Sequence, residues 1–165
     1  MLVKTYSAAV TGLEATTITI EVNLTRGVMF HLSGLADTAV KESYDRICAA
    51  LPNVGFRTPT AELTINLSPA DLRKEGSSFD LPMAIGILSA NGKVESTRLH
   101  EYMLVGELGL DGQLKPVPTA ASSKWPAPLL TSPAQRKCNL CISPKPSAIA
   151  ARHLWRFHSV AEKES

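Results

Sequence analysis

Four side chains near the C-terminus, Cys138, Cys141, His153 and His158, are of the types that bind zinc. Their order, Cys-x2-Cys-x11-His-x4-His, comes close to the spacing of a tetrahedral finger site. A finger also needs an apolar core. Here Pro144, Lys145 and Pro146 follow the second cysteine, where an apolar strand residue belongs. The four residues are a weak candidate, and no metal is expected in this chain. Gly92-Lys93 is the one Gly-Lys pair in the sequence. A phosphate-cradling loop needs G-x4-G-K-[ST], but Ile87 stands at the first glycine position and Val94 replaces the hydroxyl residue. The pair also closes an apolar helical segment rather than opening one, so the helix dipole points the wrong way for a phosphate. A helix stop is expected, with no nucleotide or other cofactor site.

The remaining polar candidates lie in the middle of the chain. Lys74, Glu75 and Asp80 are placed on a surface loop, with Asp80 expected to cap the apolar helix that follows. Glu107 sits among apolar strand residues, so it is expected to face inward and to need a partner such as a backbone N–H or a lysine. His31 is assigned no role.

The elements that must position these groups follow from periodicity. Ile18, Ile20, Val22 and Leu24 alternate with Thr17, Thr19, Glu21 and Asn23, which predicts a half-buried strand. After a turn at Arg26-Gly27, the alternation of Val28, Phe30 and Leu32 suggests an antiparallel hairpin with it. Asp37 is expected to cap a helix to about Leu51, with Ala36, Val40, Tyr44, Ile47 and Leu51 at helical spacing. Asp37–Lys41 and Glu42–Arg46 should pair on its wet face. Leu63, Ile65 and Leu67 mark one face of another strand. Leu81 to Ala90 is apolar nearly all round and predicts a buried helix, with Pro82 tolerated in the first turn and Asn91-Gly92 as its stop. A strand over 102–110 should turn at Asp111-Gly112 into 113–117. The fold class read from this order is α+β.

Composition breaks near residue 117. Residues 1–111 carry 13 acids and 9 Lys/Arg, a net of −4, whereas residues 112–165 carry 2 acids and 8 Lys/Arg, a net of +6. The same tail holds seven of the eleven prolines. It is read as a solvated basic extension, with binding to nucleic acid through its lysines and arginines as the alternative. No apolar run is long enough to span a membrane, and the N-terminus lacks the apolar region of a signal peptide. Three cysteines are too few for a disulfide framework. A cytoplasmic protein with no membrane partner is the expectation.

Several segments resemble, in the right order, the N-terminal domain of the magnesium-chelatase-like ComM/YifB family. They are Gly34-Leu35-Ala36-Asp37-Thr38-Ala39-Val40-Lys41-Glu42, Thr64-Ile65-Asn66-Leu67-Ser68-Pro69-Ala70-Asp71-Leu72, Lys74-Glu75-Gly76 with Phe79-Asp80-Leu81-Pro82, and Val105-Gly106-Glu107-Leu108 with Asp111-Gly112. The resemblance covers residues 1–117. Residues 118–165 are taken as a continuation of the same domain; a diverged or degraded segment and an out-of-frame translation both account for its composition. The resemblance implies a ribosomal S5 domain 2-like, Lon-protease-like fold. It marks Gly34, Lys41, Glu42, Asn66, Pro69, Asp71, Lys74, Glu75, Gly76, Asp80, Pro82, Gly106 and Glu107 as structural motif positions.

The Lon likeness raises the question of a Ser-Lys dyad. By analogy, Ser78 stands at the nucleophile position and Ala121 at the base position. Alanine cannot accept a proton, and Ser77 and Ser78 are expected instead to cap the helix. The resemblance implies a non-catalytic accessory or interaction domain. Its complete relatives carry an AAA+ ATPase module and are linked to DNA branch migration and natural transformation. ATP and Mg would enter only through such a module, and the expected partners are that module or homologous subunits, with DNA contacted indirectly. The alternatives from other classes are a serine hydrolase built on Ser78 and a nucleic-acid-binding module acting through the tail.

Overall fold

The structure, a computed structural model, describes residues 1–11, 14–115 and 141–144. The N-terminal residues form a long antiparallel hairpin of β1 (Leu2–Thr11) and β2 (Glu14–Thr25), in register from Leu2↔Asn23 to Thr11↔Glu14. Strand alternation puts Ile18, Ile20 and Val22 fully into the core. Opposite them on β1 lie Ser7, Thr5 and Val3. Two of these three are polar, so β1 gives a weaker alternation signal than β2. The Thr5 hydroxyl is satisfied by donating to the Pro82 carbonyl at 2.9 Å.

The open side of β2 is taken by β4 (Glu62–Ser68), antiparallel, with Ile20↔Leu67, Val22↔Ile65 and Leu24↔Leu63 facing one another. The hairpin expected from Val28, Phe30 and Leu32 does not form. Instead β3 (Phe30–Ser33) runs parallel to β4, and the sheet order is β1-β2-β4-β3. The reason is length: β4 offers β2 seven paired residues with an aliphatic inner row, which a four-residue strand cannot match. Parallel pairing of β3 and β4 then requires a crossover. It is built from α1 (Thr38–Lys41) and α2 (Ser43–Asn53).

Asp37 caps α1 as expected, its Oδ1 accepting from Val40 N at 2.8 Å. The single predicted helix is interrupted at Glu42. There the Ala39 carbonyl accepts from the Ser43 hydroxyl and from Arg46 Nη2, and these side chains occupy the acceptor that the next turn would use. Val40, Ile47 and Leu51 are buried as their spacing requires, and the helix ends at Gly55 in a left-handed conformation (φ 80°).

Helix α3 (Asp80–Ala90) is buried at every one of its eleven residues. It crosses the inner face of β1 and β2 so closely that a Cβ on Gly86 would lie 2.6 Å from Val22 Cγ2. Gly92 ends it at φ 69°, as the sequence indicates. A short 3-10 turn (Leu99–Glu101) leads to β5 (Tyr102–Val105), β6 (Glu107–Leu108) and β7 (Leu114–Lys115). The predicted continuous strand over 102–110 is broken at Gly106. Its N–H bonds the Ser78 carbonyl at 3.0 Å and its carbonyl accepts from Leu81 N at 3.1 Å, which turns the chain toward the start of α3. The β6–β7 hairpin forms through Asp111-Gly112, with Glu107↔Lys115 and Leu108↔Leu114 paired. A last strand, β8 (Cys141–Pro144), pairs antiparallel with β5.

The architecture is α+β, with the main core between the sheet and the helices. Among the described residues no helix is long and apolar enough to cross a membrane. Gly86→Ala should destabilise the domain by about 1–3 kcal/mol, because the added methyl meets a β-branched side chain on a packed strand. Urea unfolding followed by far-UV circular dichroism measures this, and an unchanged midpoint would contradict the close approach.

Candidate functional site

Three segments far apart in sequence meet at the N-terminus of α3. From α2 comes Arg46, from α3 Asp80, and from β6 the backbone of Leu108. Asp80 is fully buried. Its Oδ2 accepts from Arg46 Nε at 2.8 Å and from Leu108 N at 3.1 Å, and its Oδ1 accepts from Arg46 Nη2 at 2.9 Å. This is a two-pronged guanidinium–carboxylate pair, the strongest geometry available to these groups. The hydrogen bonds to Asp80 hold the Arg46 guanidinium above its ordinary range, against the desolvation that burial imposes.

Asp80 is therefore not the helix cap that its position suggests. The capping position is Phe79, and no side chain caps it. Ser77 and Ser78 do not cap either. The Ser77 hydroxyl donates to Glu107 Oε2, whose other oxygen lies 3.7 Å from Lys115 Nζ. Glu107 is thus paired as its apolar setting requires, although it is half-buried rather than fully inward. Ser78 is 8% exposed, and its hydroxyl has no hydrogen-bond partner among the described residues. Its carbonyl holds Gly106.

A second joint links the loops after β3 and β4. Lys74 has no exposed surface, and its ammonium donates to the carbonyl of Pro69, which follows a cis Ser68–Pro69 bond. Burial pushes the Lys74 amine below the ordinary lysine range, and the charge of Asp71 only partly offsets this. The Lys74 backbone also bridges Leu35 and Asp37, with Lys74 N to Leu35 O at 3.2 Å and Asp37 N to Lys74 O at 3.0 Å. Asp37 Oδ2 accepts from Gly76 N at 3.2 Å. The expected Asp37–Lys41 pair is absent among the described residues, because both carboxylate oxygens are already committed to backbone N–H groups.

The other motif residues are divided between close contacts in the fold and its surface. Gly34 lies against β4 so tightly that a Cβ would sit 2.0 Å from the Leu67 carbonyl oxygen. Asn66 sits in a polar row on the outer face of the sheet, donating to Glu21 at 3.1 Å and accepting from Ser33 at 2.9 Å. Glu21 continues that row to Lys4 at 2.9 Å. Glu75 pairs with Arg73 at 2.9 Å on the surface, whereas Lys41 and Asp71 are exposed. Glu42 reaches Arg46 at 3.8 Å, as the i,i+4 spacing predicts. Of the zinc candidates Cys141 begins β8, while Cys138, His153 and His158 lie outside the described residues, as does Ala121. Among the described residues no cluster of three or more potential metal ligands occurs.

Arg46 is the residue that sequence reasoning undervalued. Its charge assigned it to the wet face, yet it falls at helical spacing from Ser43 and Ala50, both fully buried. A cation on a buried stripe, with an acid at the head of an apolar helix, is the signal that pointed to the pair.

A domain of this α+β architecture, with several of its motif residues at the junctions, fits the magnesium-chelatase-like class. The sequence model of the family "Subunit ChlI of Mg-chelatase" matches residues 20–127, and the chain belongs to that family. It is 45% identical to the YifB protein of Escherichia coli K12 over 119 residues, which are 72% of this chain and 24% of that protein. It is 48% identical to the competence protein ComM of Haemophilus influenzae over 113 residues, 68% of this chain and 22% of that protein. It is also 43% identical to Rv2897c of Mycobacterium tuberculosis over 132 residues, 75% and 26% of the two chains. The chain thus spans about a quarter of the length of the curated relatives it matches.

Arg46→Met leaves the Asp80 carboxylate buried without its cation and should destabilise by about 3–5 kcal/mol, while Arg46→Met/Asp80→Leu should recover part of that loss, since the Leu108 N–H then lacks its acceptor. Chemical denaturation of the three proteins checks both statements. Lys74 carries a pH signature. Above its lowered folded value and below the ordinary value of about 10.4, the unfolded chain binds a proton that the folded chain does not. Wild-type stability should therefore rise with pH through that window relative to Lys74→Met, and parallel profiles would contradict a desolvated amine.

Proposed function

We propose that this chain is a non-catalytic accessory domain of a magnesium-chelatase-like AAA+ ATPase. The observation that carries this reading is the commitment of its reactive-type side chains to the fold. Asp80 is fully buried against Arg46 and Leu108, the Lys74 ammonium is turned into the Pro69 carbonyl, and Glu107 holds Ser77. The Ser78 hydroxyl is not hydrogen-bonded to a base among the described residues, and a serine hydroxyl without one is a weak nucleophile. The sequence contains no phosphate-binding loop, so ATP and Mg would be handled by a separate module. The name of the Haemophilus relative, a competence protein, supports a place in competence. In the same proposal DNA is contacted through that module or through homologous subunits, in the cytoplasm.

The test has two arms. The purified chain, challenged with a fluorophosphonate probe, should remain unlabelled; labelling that disappears in Ser78→Ala would establish a hydrolase and sink the reading. Mixed with a ComM protein lacking its own matched quarter, the chain should co-elute on size exclusion and change the rate of ATP hydrolysis. Failure of both would remove the accessory role.

A further inference from the structure

Hydrogen-bond donors are left over at the head of α3. The first helical N–H groups are committed to protein. Asp80 N donates to the Ser77 carbonyl at 3.2 Å and Leu81 N to the Gly106 carbonyl at 3.1 Å, while Pro82 has no N–H. The turn before them differs. Among the described residues the backbone N–H groups of Ser78 and Phe79 and the Ser78 hydroxyl make no hydrogen bond. Both residues are screened from water, Ser78 being 8% exposed and Phe79 1%. Buried N–H groups without a partner are rare in folded proteins.

A second orphan lies on β1. Ser7 has no exposed surface, and its Oγ is the one buried side-chain polar atom among the described residues without a hydrogen-bond partner. The packing of α3 shows where it sits. Gly86 meets Val22, which pairs with Val3, and Pro82 accepts from Thr5, so α3 runs opposite to β1 across the sheet. One further turn of helix, about 6 Å, leads from Pro82 back to Ser78. One further inward residue of β1, about 6.8 Å along the strand, leads from Thr5 to Ser7. The two serines therefore come level. Strand β5 brings the same ends together from a third side. Val105 packs with Ala8, the residue after Ser7, and Gly106 N donates to the Ser78 carbonyl.

We propose that the turn Ser77–Phe79 at the head of α3, with the hydroxyls of Ser7 and Ser78, is a binding site for a carboxylate group. Its unused groups, two N–H and two O–H, can all donate. Successive N–H groups at the start of a helix, aligned with its dipole, favour an anion. The neighbouring charges limit how much anion is accepted. Asp80 is neutralised by Arg46, but Glu107, bonded to the Ser77 hydroxyl, has its balancing Lys115 3.7 Å away. A carboxylate brings one negative charge toward Glu107, whereas phosphate brings up to two. The apolar cluster of Ala8, Met103 and Val105 beside the site suits the carbon side of an organic acid. No bond is made or broken: the site holds its ligand. This inference does not depend on the accessory role proposed above.

Titration of the full chain with sodium acetate, followed by amide NMR at constant ionic strength against sodium chloride, tests it. The Ser78 and Phe79 amide protons should shift downfield and saturate with a dissociation constant of about 1–10 mM, a range open to so small a ligand. Inorganic phosphate should bind at least about threefold more weakly. Ser7→Ala and Ser78→Ala should each weaken acetate about tenfold, since each removes a hydrogen bond to a charged group. Circular dichroism should be unchanged in both, and should one variant fail to fold, the other carries the comparison. A tripeptide that competes with acetate, where its C-terminal amide does not, would assign the site to chain ends; a tripeptide that does not compete would assign it to small acids. Shifts that chloride reproduces, no saturation by about 100 mM acetate, or binding untouched by the substitutions would each overturn the proposal and leave the two serines to buried water.

Discussion

The carboxylate of Asp80, with no exposure to water, is the constraint on which the rest of the domain depends. It stands at the head of a helix that is buried all round. Such a helix has no polar face to orient it, and apolar contacts alone are non-directional. Rotating or sliding α3 would exchange one aliphatic surface for another at modest cost. The hydrogen bonds at Asp80 have no such freedom. They need Arg46 on α2 and Leu108 N on β6 at fixed positions, and so they set the register of α3 against both. Gly86 then allows the approach to Val22 that this register demands.

A second constraint follows from the parallel pair β3 and β4. The loops leaving two parallel strands at the same end must be tied to each other or left splayed. Here the Lys74 backbone ties them twice, to Leu35 and to Asp37, while its ammonium braces its own loop at Pro69. Asp37 closes the arrangement by accepting from both Val40 and Gly76. A lysine is a costly choice for a buried position, because desolvation opposes its charge. What it supplies is reach: four methylenes carry a donor from the bridge at Ala36 to the loop at Pro69, a span that no short polar side chain covers.

Much of the fold was legible from residue types alone. Alternation along β2 and β4, the uniformly apolar α3 and the Asp111-Gly112 turn each express one dominant local force, and each appears where the pattern predicts. The failures share a cause as well. The partner of β3 depends on a competition between strands distant in sequence, which periodicity cannot weigh. β1 hides its inner face because Thr5 and Ser7 face inward. Asp80 and Arg46 each carry a plausible local role, as a cap and as a surface ion pair, and the true role needs both at once. Local signals rank local partners, whereas buried charges answer to distant ones.

The motif positions consequently report on architecture more than on chemistry. Segments around residues 34–46, 64–82 and 105–108 are joined by backbone and side-chain bonds at two points, the head of α3 and the loops after β3 and β4. Several glycines, prolines and charges in those segments permit a close approach or complete a bond, among them Gly34, Asp37, Arg46, Lys74, Asp80 and Gly106, whereas Lys41, Glu42, Asp45, Asp71, Arg73 and Glu75 lie at the surface. A family likeness resting on such residues is strong support for a shared fold, since few other residues satisfy the same joints. It is weaker support for a shared activity, because activity depends on groups left free to act, and these segments leave few of their polar groups free.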